Sequence, residues 1–162
     1  MHIGLLPKLS SGFVPILTTE RNIMFSERAI AIKRLKLLAW YLRSVPRKFF
    51  NLDKWFNIDG GTWNPYSCHV KTLGCGTTGC AIGWAGHIPE FNEEGFTLTE
   101  SMVDITPSYK GVTSWTAVQF FFNISFDQAR HLFSSTQYED KDVNNPHAVA
   151  ARIETFVKQL KD

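Results

Sequence analysis

The residues best suited to chemistry lie in one stretch, Cys68 to Phe91, which holds all three cysteines of the chain and two of its five histidines. Zinc prefers thiolate and imidazole ligands, and this stretch can supply four of them. The candidate ligands are Cys68, His69, Cys75, Cys80 and His87. Structural zinc sites usually pair ligands two to four residues apart, and this spacing is looser. We therefore expect no cofactor, with a zinc site built from Cys68, Cys75, Cys80 and His87 as the alternative.

The same residues also suggest nucleophilic catalysis. A thiol enzyme needs a cysteine beside a base, here Cys80 or Cys75 with His69 or His87. No third residue that would orient the base can be named. A cysteine-dependent enzyme centred on Cys80 and His87 is therefore an alternative hypothesis, and the balance favours a protein without catalytic activity.

The glycines and threonines of this stretch predict a helix from about Gly79 to His87. Thr77 and Thr78 carry hydroxyls that can cap its start, while Gly76 and Gly79 permit backbone angles that other residues resist. A helix start attracts anions and can lower the pKa of a thiol such as Cys80. Gly76, Thr77 and Thr78 are thus candidate binding residues, although capping alone accounts for the pattern. The phosphate-loop pattern requires a lysine after its last glycine, and none follows Gly79.

A second candidate site lies on the helix predicted from Ser26, as its cap, to Val45, before Pro46. Its apolar stripe comprises Ala31, Leu35, Leu38, Leu42 and Val45. The opposite face, which we call the basic strip, carries Lys33, Lys36, Arg43 and Arg47 with Trp40 among them. Either a later segment covers Trp40, or Trp40 and the cations bind an acidic or nucleotide partner. Lys33, Lys36, Trp40 and Arg43 are the candidate contact residues.

The remaining elements position these residues. Helices are predicted at Ser114 to Phe122, at Phe126 to Phe133 behind the capping box of Ser125 and Gln128, and after Asn145 and Pro146. Short hairpins are predicted across Phe56 to Trp63 and Gly95 to Lys110. The expected fold is mainly α: a single compact domain, residues 24–162, of about five helices with one or two short β-hairpins. Residues 1–23 form a loosely attached N-terminal arm.

Composition narrows the class of protein. At 162 residues, with 44% hydrophobic and 14% aromatic residues, the chain fits one globular domain. Its net charge of +2 supports nucleic-acid binding only weakly. Charge is polarised: 24–48 holds seven bases and one acid, whereas 81–109, the acidic region, holds five acids and no base. These regions either pair with each other or face solvent and partners. Three cysteines and no long apolar run favour a cytoplasmic protein without membrane insertion.

The run from Cys75 to Gly86, CGTTGCAIGWAG, resembles the CGTxxCxxGWA signature of a family of small uncharacterised bacteriophage and prophage proteins. The resemblance extends from about Met24 to Leu160. It includes the aromatic segment Phe49 to Trp55 and the A-x-x-L-F segment at Ala129 to Phe133. It implies a phage origin without an assigned activity.

Phage accessory proteins of this size often block host immunity. We therefore expect a small phage-encoded binding protein in the host cytoplasm that inhibits a bacterial defence system. It would bind a host protein or sequester a small nucleotide signal. The expectation rests on analogy, since a fold or family alone does not set function.

Overall fold

The computed structural model describes the backbone of residues 16–58, 77–100 and 105–161, and the side chains of 26–56, 78–100 and 105–161. The longest element in these ranges is α1, Ile16–Leu42. The predicted stripe from Ala31 to Val45 is confirmed, because all five of its side chains are buried.

The predicted bounds of this helix were wrong at both ends. α1 begins at Ile16, so Ser26 lies inside it and cannot cap it. Residues 23 and 24, between which the boundary of the N-terminal arm was predicted, both lie in α1, and the division into arm and domain stays a prediction. At the other end, α1 stops at Leu42, and a turn in which the Val45 amide donates to the Leu42 carbonyl (3.2 Å) leads to Pro46.

Two short strands join distant parts of the sequence. Strand β1, Phe56–Ile58, pairs antiparallel with β2, Thr77–Gly79, so that Phe56 lies opposite Gly79. The turn and second strand of the hairpin predicted across Phe56 to Trp63 lie outside the described residues, so that hairpin stays a prediction; the described partner of β1, which the sequence did not predict, is β2. Helix α2, Ala81–Ala85, follows β2 directly and is entirely buried.

The middle of the chain forms a small antiparallel sheet. After the short helix α3, Pro89–Glu93, come β3, Thr97–Glu100, β4, Ile105–Tyr109, and β5, Val112–Thr113, in the order β3-β4-β5. The register places Thr97 opposite Ser108. The hairpin predicted from Gly95 to Lys110 is confirmed, with α3 and the third strand unpredicted. Its turn, 101–104, lies outside the described residues.

Three helices complete the fold where the sequence predicted them: α4, Ser114–Phe122, α5, Phe126–Phe133, and α6, Pro146–Gln159. The capping box of α5 is present, since the Gln128 amide donates to Ser125 Oγ (3.2 Å) and the Ser125 amide to Gln128 Oε1 (2.8 Å). Asn145 occupies the cap position of α6 without a side-chain capping bond. Asn123, with φ of 50°, ends α4 in the left-handed conformation.

One hydrophobic cluster runs through these elements, with α1 packed lengthwise along α6. Trp84 lies at its centre, fully buried, and its indole N–H donates to the Phe49 carbonyl (3.1 Å). The mainly α fold is confirmed, with six α-helices in the described ranges against the five expected. None of the described helices is long and apolar enough to cross a membrane.

Candidate functional site

The cysteine-containing stretch is a packing motif where the structure describes it. Cys80 is 2% exposed and is the N-cap of α2, its Sγ accepting from the Gly83 amide (3.4 Å). The predicted capping by Thr77 and Thr78 was wrong, because both lie in β2. Since α2 is a single turn, it offers no extended helix dipole for an anion. Gly76 lies outside the described residues, as does the side chain of Thr77.

Two glycines of this motif allow β2 and α2 to lie close to Trp55 and Phe56. A Cβ on Gly83 would lie 1.7 Å from the Trp55 carbonyl oxygen, and one on Gly79 would lie 2.5 Å from the Phe56 ring. Neither glycine has a positive φ, so the expected use of Gly79 for an unusual backbone angle was wrong. The motif holds β1 against α2.

His87 is engaged with this same core. Its Nδ1 lies 3.0 Å from the Gly83 carbonyl, and its ring stacks on Phe56 with 4.4 Å between centroids. Burial lowers the pKa of His87, and the bond to Gly83 opposes that shift in part. A neutral ring with one nitrogen held by the backbone has a clear structural role. Its pairing with Cys80 in catalysis stays an untested alternative.

The proposed zinc ligands can be only partly located. Cys68, His69 and Cys75 lie outside the described residues. Within the described ranges, no group of three or more His, Cys, Asp or Glu side chains is arranged to hold a metal. The described members, Cys80 and His87, are both occupied in packing contacts around Gly83.

The basic strip is open to solvent around Trp40. The Trp40 side chain is 71% exposed, so none of the later segments that the structure describes covers it. Lys36 and Lys33, one and two turns before it on α1, are exposed as well. A large apolar ring that is exposed in the free protein can be buried favourably against a partner, and such rings are common at interaction sites.

Arg43 is the strip residue with a fixed ion pair. Its guanidinium contacts the Glu154 carboxylate of α6 through three donor and acceptor pairs of 2.8 to 3.1 Å. This bidentate contact raises the pKa of Arg43. Arg43 therefore joins the first helix to the last at the edge of the strip, and Glu154 neutralises it.

Lys36, one turn before Trp40, lacks such neutralisation among the described residues. Lys161, which follows α6, is near enough to Lys36 that the interaction between the two ammonium groups and their charge repulsion lower the pKa of Lys36. Within the described part of the chain, the ion pairs of α1 are made by Arg34 and Arg43 and none by Lys36. Two adjacent ammonium groups favour an anion that can bridge them.

A groove adjoins this lysine pair. It has a volume of about 240 Å³ and is lined by Arg28, Ala29, Ile32, Leu160 and Lys161. Its lining combines three apolar side chains with two cationic ones. Sequence reasoning missed Arg28, Lys161 and Glu154 as parts of this surface. The available signal was weak, since only the packing of the first helix on the last brings them together.

The acidic region contributes one internal contact. The Arg34 Nε donates to Glu94 Oε2 (2.6 Å), and its guanidinium also bonds the Phe121 carbonyl and lies 4.1 Å from the Phe121 ring centroid. The predicted pairing of the basic and acidic regions is thus confirmed for one pair of residues, Arg34 and Glu94. Glu90, Glu93 and Glu100 remain exposed, and Asp104 lies outside the described residues.

Comparison with known proteins leaves the site to be interpreted from its own geometry. No family model matches the chain, and no curated protein or solved structure matches it.

Proposed function

We propose that this chain is a binding protein without catalytic turnover, and that its contact surface is the α1–α6 face centred on Trp40. The observation that carries the proposal is the exposure of Trp40, at 71%, on the same face as Lys36 and Lys161, neither of which makes an ion pair with a described residue. Tryptophan is enriched among residues that dominate binding energy, and cations next to it select an acidic partner.

The shape of the surface favours an acidic protein segment. Lys33 to Arg43 spans about 15 Å of helix at the usual rise per residue, and this face is convex. Small molecules such as nucleotides usually bind in concave sites that bury most of their surface. The groove at Ile32 and Leu160 gives an apolar side chain of the partner a place beside the lysines. A nucleotide is the second ligand class that the experiment must separate.

The wider role that we propose is inhibition of a bacterial defence system in the host cytoplasm. Its support is the resemblance of Cys75 to Gly86 to the phage signature, and the described part of that motif has a packing role. Motif and contact surface are then separate parts of the molecule. The motif maintains the core, and the basic strip binds the partner.

Site-specific photo-crosslinking tests the contact surface. A benzophenone amino acid replaces Ser44, which is exposed one turn beyond Trp40, and a matched variant carries it at Thr116, exposed on α4. In host extract we expect a partner protein to crosslink from position 44 and not from position 116. Adding Lys36→Glu to the first variant should abolish the product, because it reverses the local charge.

Two results would count against this proposal. Equal crosslinking from both positions would place the contact elsewhere. Recovery of a nucleotide by native mass spectrometry, with no crosslinked protein, would favour the nucleotide alternative.

A further inference from the structure

A second cavity lies away from the basic strip, between the turn that precedes β1 and the helices α2, α4 and α5. Its volume is about 220 Å³, and Asp53, Trp55, Trp115, Ser134 and Ser135 are among the residues that line it. One water molecule occupies about 30 Å³ in the liquid, so this space suits a ligand of several heavy atoms. It shares no lining residue with the groove at Arg28 and Lys161.

Two indoles form part of its wall in a fixed arrangement. Trp55 and Trp115 meet edge to face, with 4.9 Å between ring centroids and 61° between planes, and Phe126 supports Trp115 from 6.4 Å. Backbone bonds hold Trp55 in place, since the Cys80 amide donates to the carbonyls of Lys54 (2.9 Å) and Trp55 (3.1 Å). Indole faces carry negative electrostatic potential and attract cations.

The charge of the lining has one sign. Among the described residues that line the cavity, Asp53 is the only carboxylate, and there is no lysine, arginine or histidine. The Asp53 amide donates to Asn51 Oδ1 (2.8 Å), which fixes the turn that carries it. Ser134 and Ser135, both half-buried, add hydroxyl oxygens that can accept from an ammonium group. A cation gains contacts here that an anion or a neutral ligand of the same shape lacks.

We propose that this cavity binds a small organic ammonium ion, with Asp53 as its counter-charge and the indoles of Trp55 and Trp115 as part of the wall that it contacts. This site is independent of the proposed protein-binding surface. Its failure in a test would leave the basic strip unaffected, and the reverse also holds.

The test is a ¹⁹F NMR titration of protein that contains 5-fluorotryptophan, with signals assigned by single Trp→Phe variants. The probe is tetramethylammonium chloride, added against sodium chloride at equal ionic strength. We expect saturable shifts of Trp55 and Trp115 with a dissociation constant on the order of 1 mM for so small a ligand. Signals of Trp40 and Trp84 should stay in place.

Matched probes and variants separate charge from shape. tert-Butanol, a neutral molecule of similar shape, should bind at least about fivefold more weakly, because it lacks the cation–π attraction. Asp53→Asn should weaken tetramethylammonium binding roughly threefold, as befits an exposed carboxylate. Lys158→Gln, a charge change at an exposed position of α6 that does not line the cavity, should leave it within twofold, about the limit for a distant surface charge.

The wild-type comparison of the two probes decides the proposal even where a variant folds poorly. Absence of a saturable shift would overturn it, as would equal binding of tert-butanol. Tighter binding of methyl glucoside than of tetramethylammonium would assign the cavity to a sugar and would also overturn it.

Discussion

Replacing Gly83 by alanine tests the packing of α2 against the segment before β1. The added Cβ would lie 1.7 Å from the Trp55 carbonyl oxygen and 2.8 Å from its carbonyl carbon. Both are backbone atoms, so no side-chain rotation can relieve the overlap. An ordinary contact is about 3.5 Å, which requires the two backbones to separate by more than about 1.5 Å.

The cost can be worked from the contacts that this separation disturbs. Overpacking of a well-filled core usually costs about 1–3 kcal/mol. The Trp55 carbonyl also accepts from the Cys80 amide (3.1 Å), a bond worth about 1 kcal/mol net. Alanine recovers at most about 1 kcal/mol through its helix propensity. We expect Gly83→Ala to lower the free energy of unfolding by about 1–4 kcal/mol, or the melting temperature by roughly 2–16 °C.

Thermal and urea unfolding followed by circular dichroism measure this loss. The control is Gly111→Asn in the turn between β4 and β5, where the glycine φ is 80° and a Cβ would meet no atom within 4 Å. Asparagine tolerates such angles, so the control should cost less than about 1 kcal/mol. If Gly83→Ala proves as stable as wild type, α2 does not lie against the Trp55 carbonyl, and the packing interpretation of the motif is wrong.

Three further predictions concern buried groups. Arg34→Met should lower the free energy of unfolding, measured in urea, by about 2–4 kcal/mol, because it leaves Glu94 and the Phe121 carbonyl without their donor. The control is Arg130→Met at an exposed position, and an equal loss of stability in the two variants would contradict this prediction. Because the pKa of His87 is lowered in the folded state, only the unfolded state takes up its proton as pH falls below about 6.5, so wild-type stability should decline there. His87→Gln should flatten that part of the stability profile against pH, and an unchanged slope would refute the assignment. Because Cys80 is buried, iodoacetamide at neutral pH should modify it slowly in the native protein and readily in urea, as measured by peptide mapping. Rapid labelling of Cys80 in the native protein would instead favour the nucleophile hypothesis.

The C-terminal helices were predictable because their signals are local. The capping box at Ser125 and Gln128 and the proline at position 146 each fix a helix start through residues within one turn. The apolar stripe of α1 was predictable for the same reason, since its period is read along one segment. Its start at Ile16 was missed because the glycines and prolines up to Pro15 were taken to indicate an arm that continued beyond them.

The motif around Cys80 could not be resolved from sequence. A glycine indicates either an unusual backbone angle or a close contact, and Gly79 and Gly83 prove to be the second. The contact is made by Trp55 and Phe56, over twenty residues earlier in the chain. The pairing of β1 with β2 is equally non-local. For that reason Gly79, which is the last residue of β2, was predicted to be the first residue of the helix.

The candidate surface was partly predictable. Lys36, Trp40 and Arg43 follow from helical spacing alone, and the exposure of Trp40 shows that no described segment covers it. Lys161 and Glu154 could not be placed beside them, because that requires the lateral packing of α6 on α1. The structure thus extends the basic strip onto the end of α6. Arg43 is neutralised by Glu154, whereas Lys36 and Lys161 make no ion pair with a described residue.

The central claim is that Trp40 and its neighbouring lysines form the contact surface, and a paired measurement of affinity tests it most directly. The partner recovered by crosslinking is titrated calorimetrically against Trp40→Ala and against Phe120→Ala, a control whose side chain is 59% exposed on α4. We predict that Trp40→Ala weakens binding by about tenfold or more while both variants keep the wild-type melting temperature within a few degrees. Equal affinities for the two variants, or a large loss of stability in Trp40→Ala, would contradict the account.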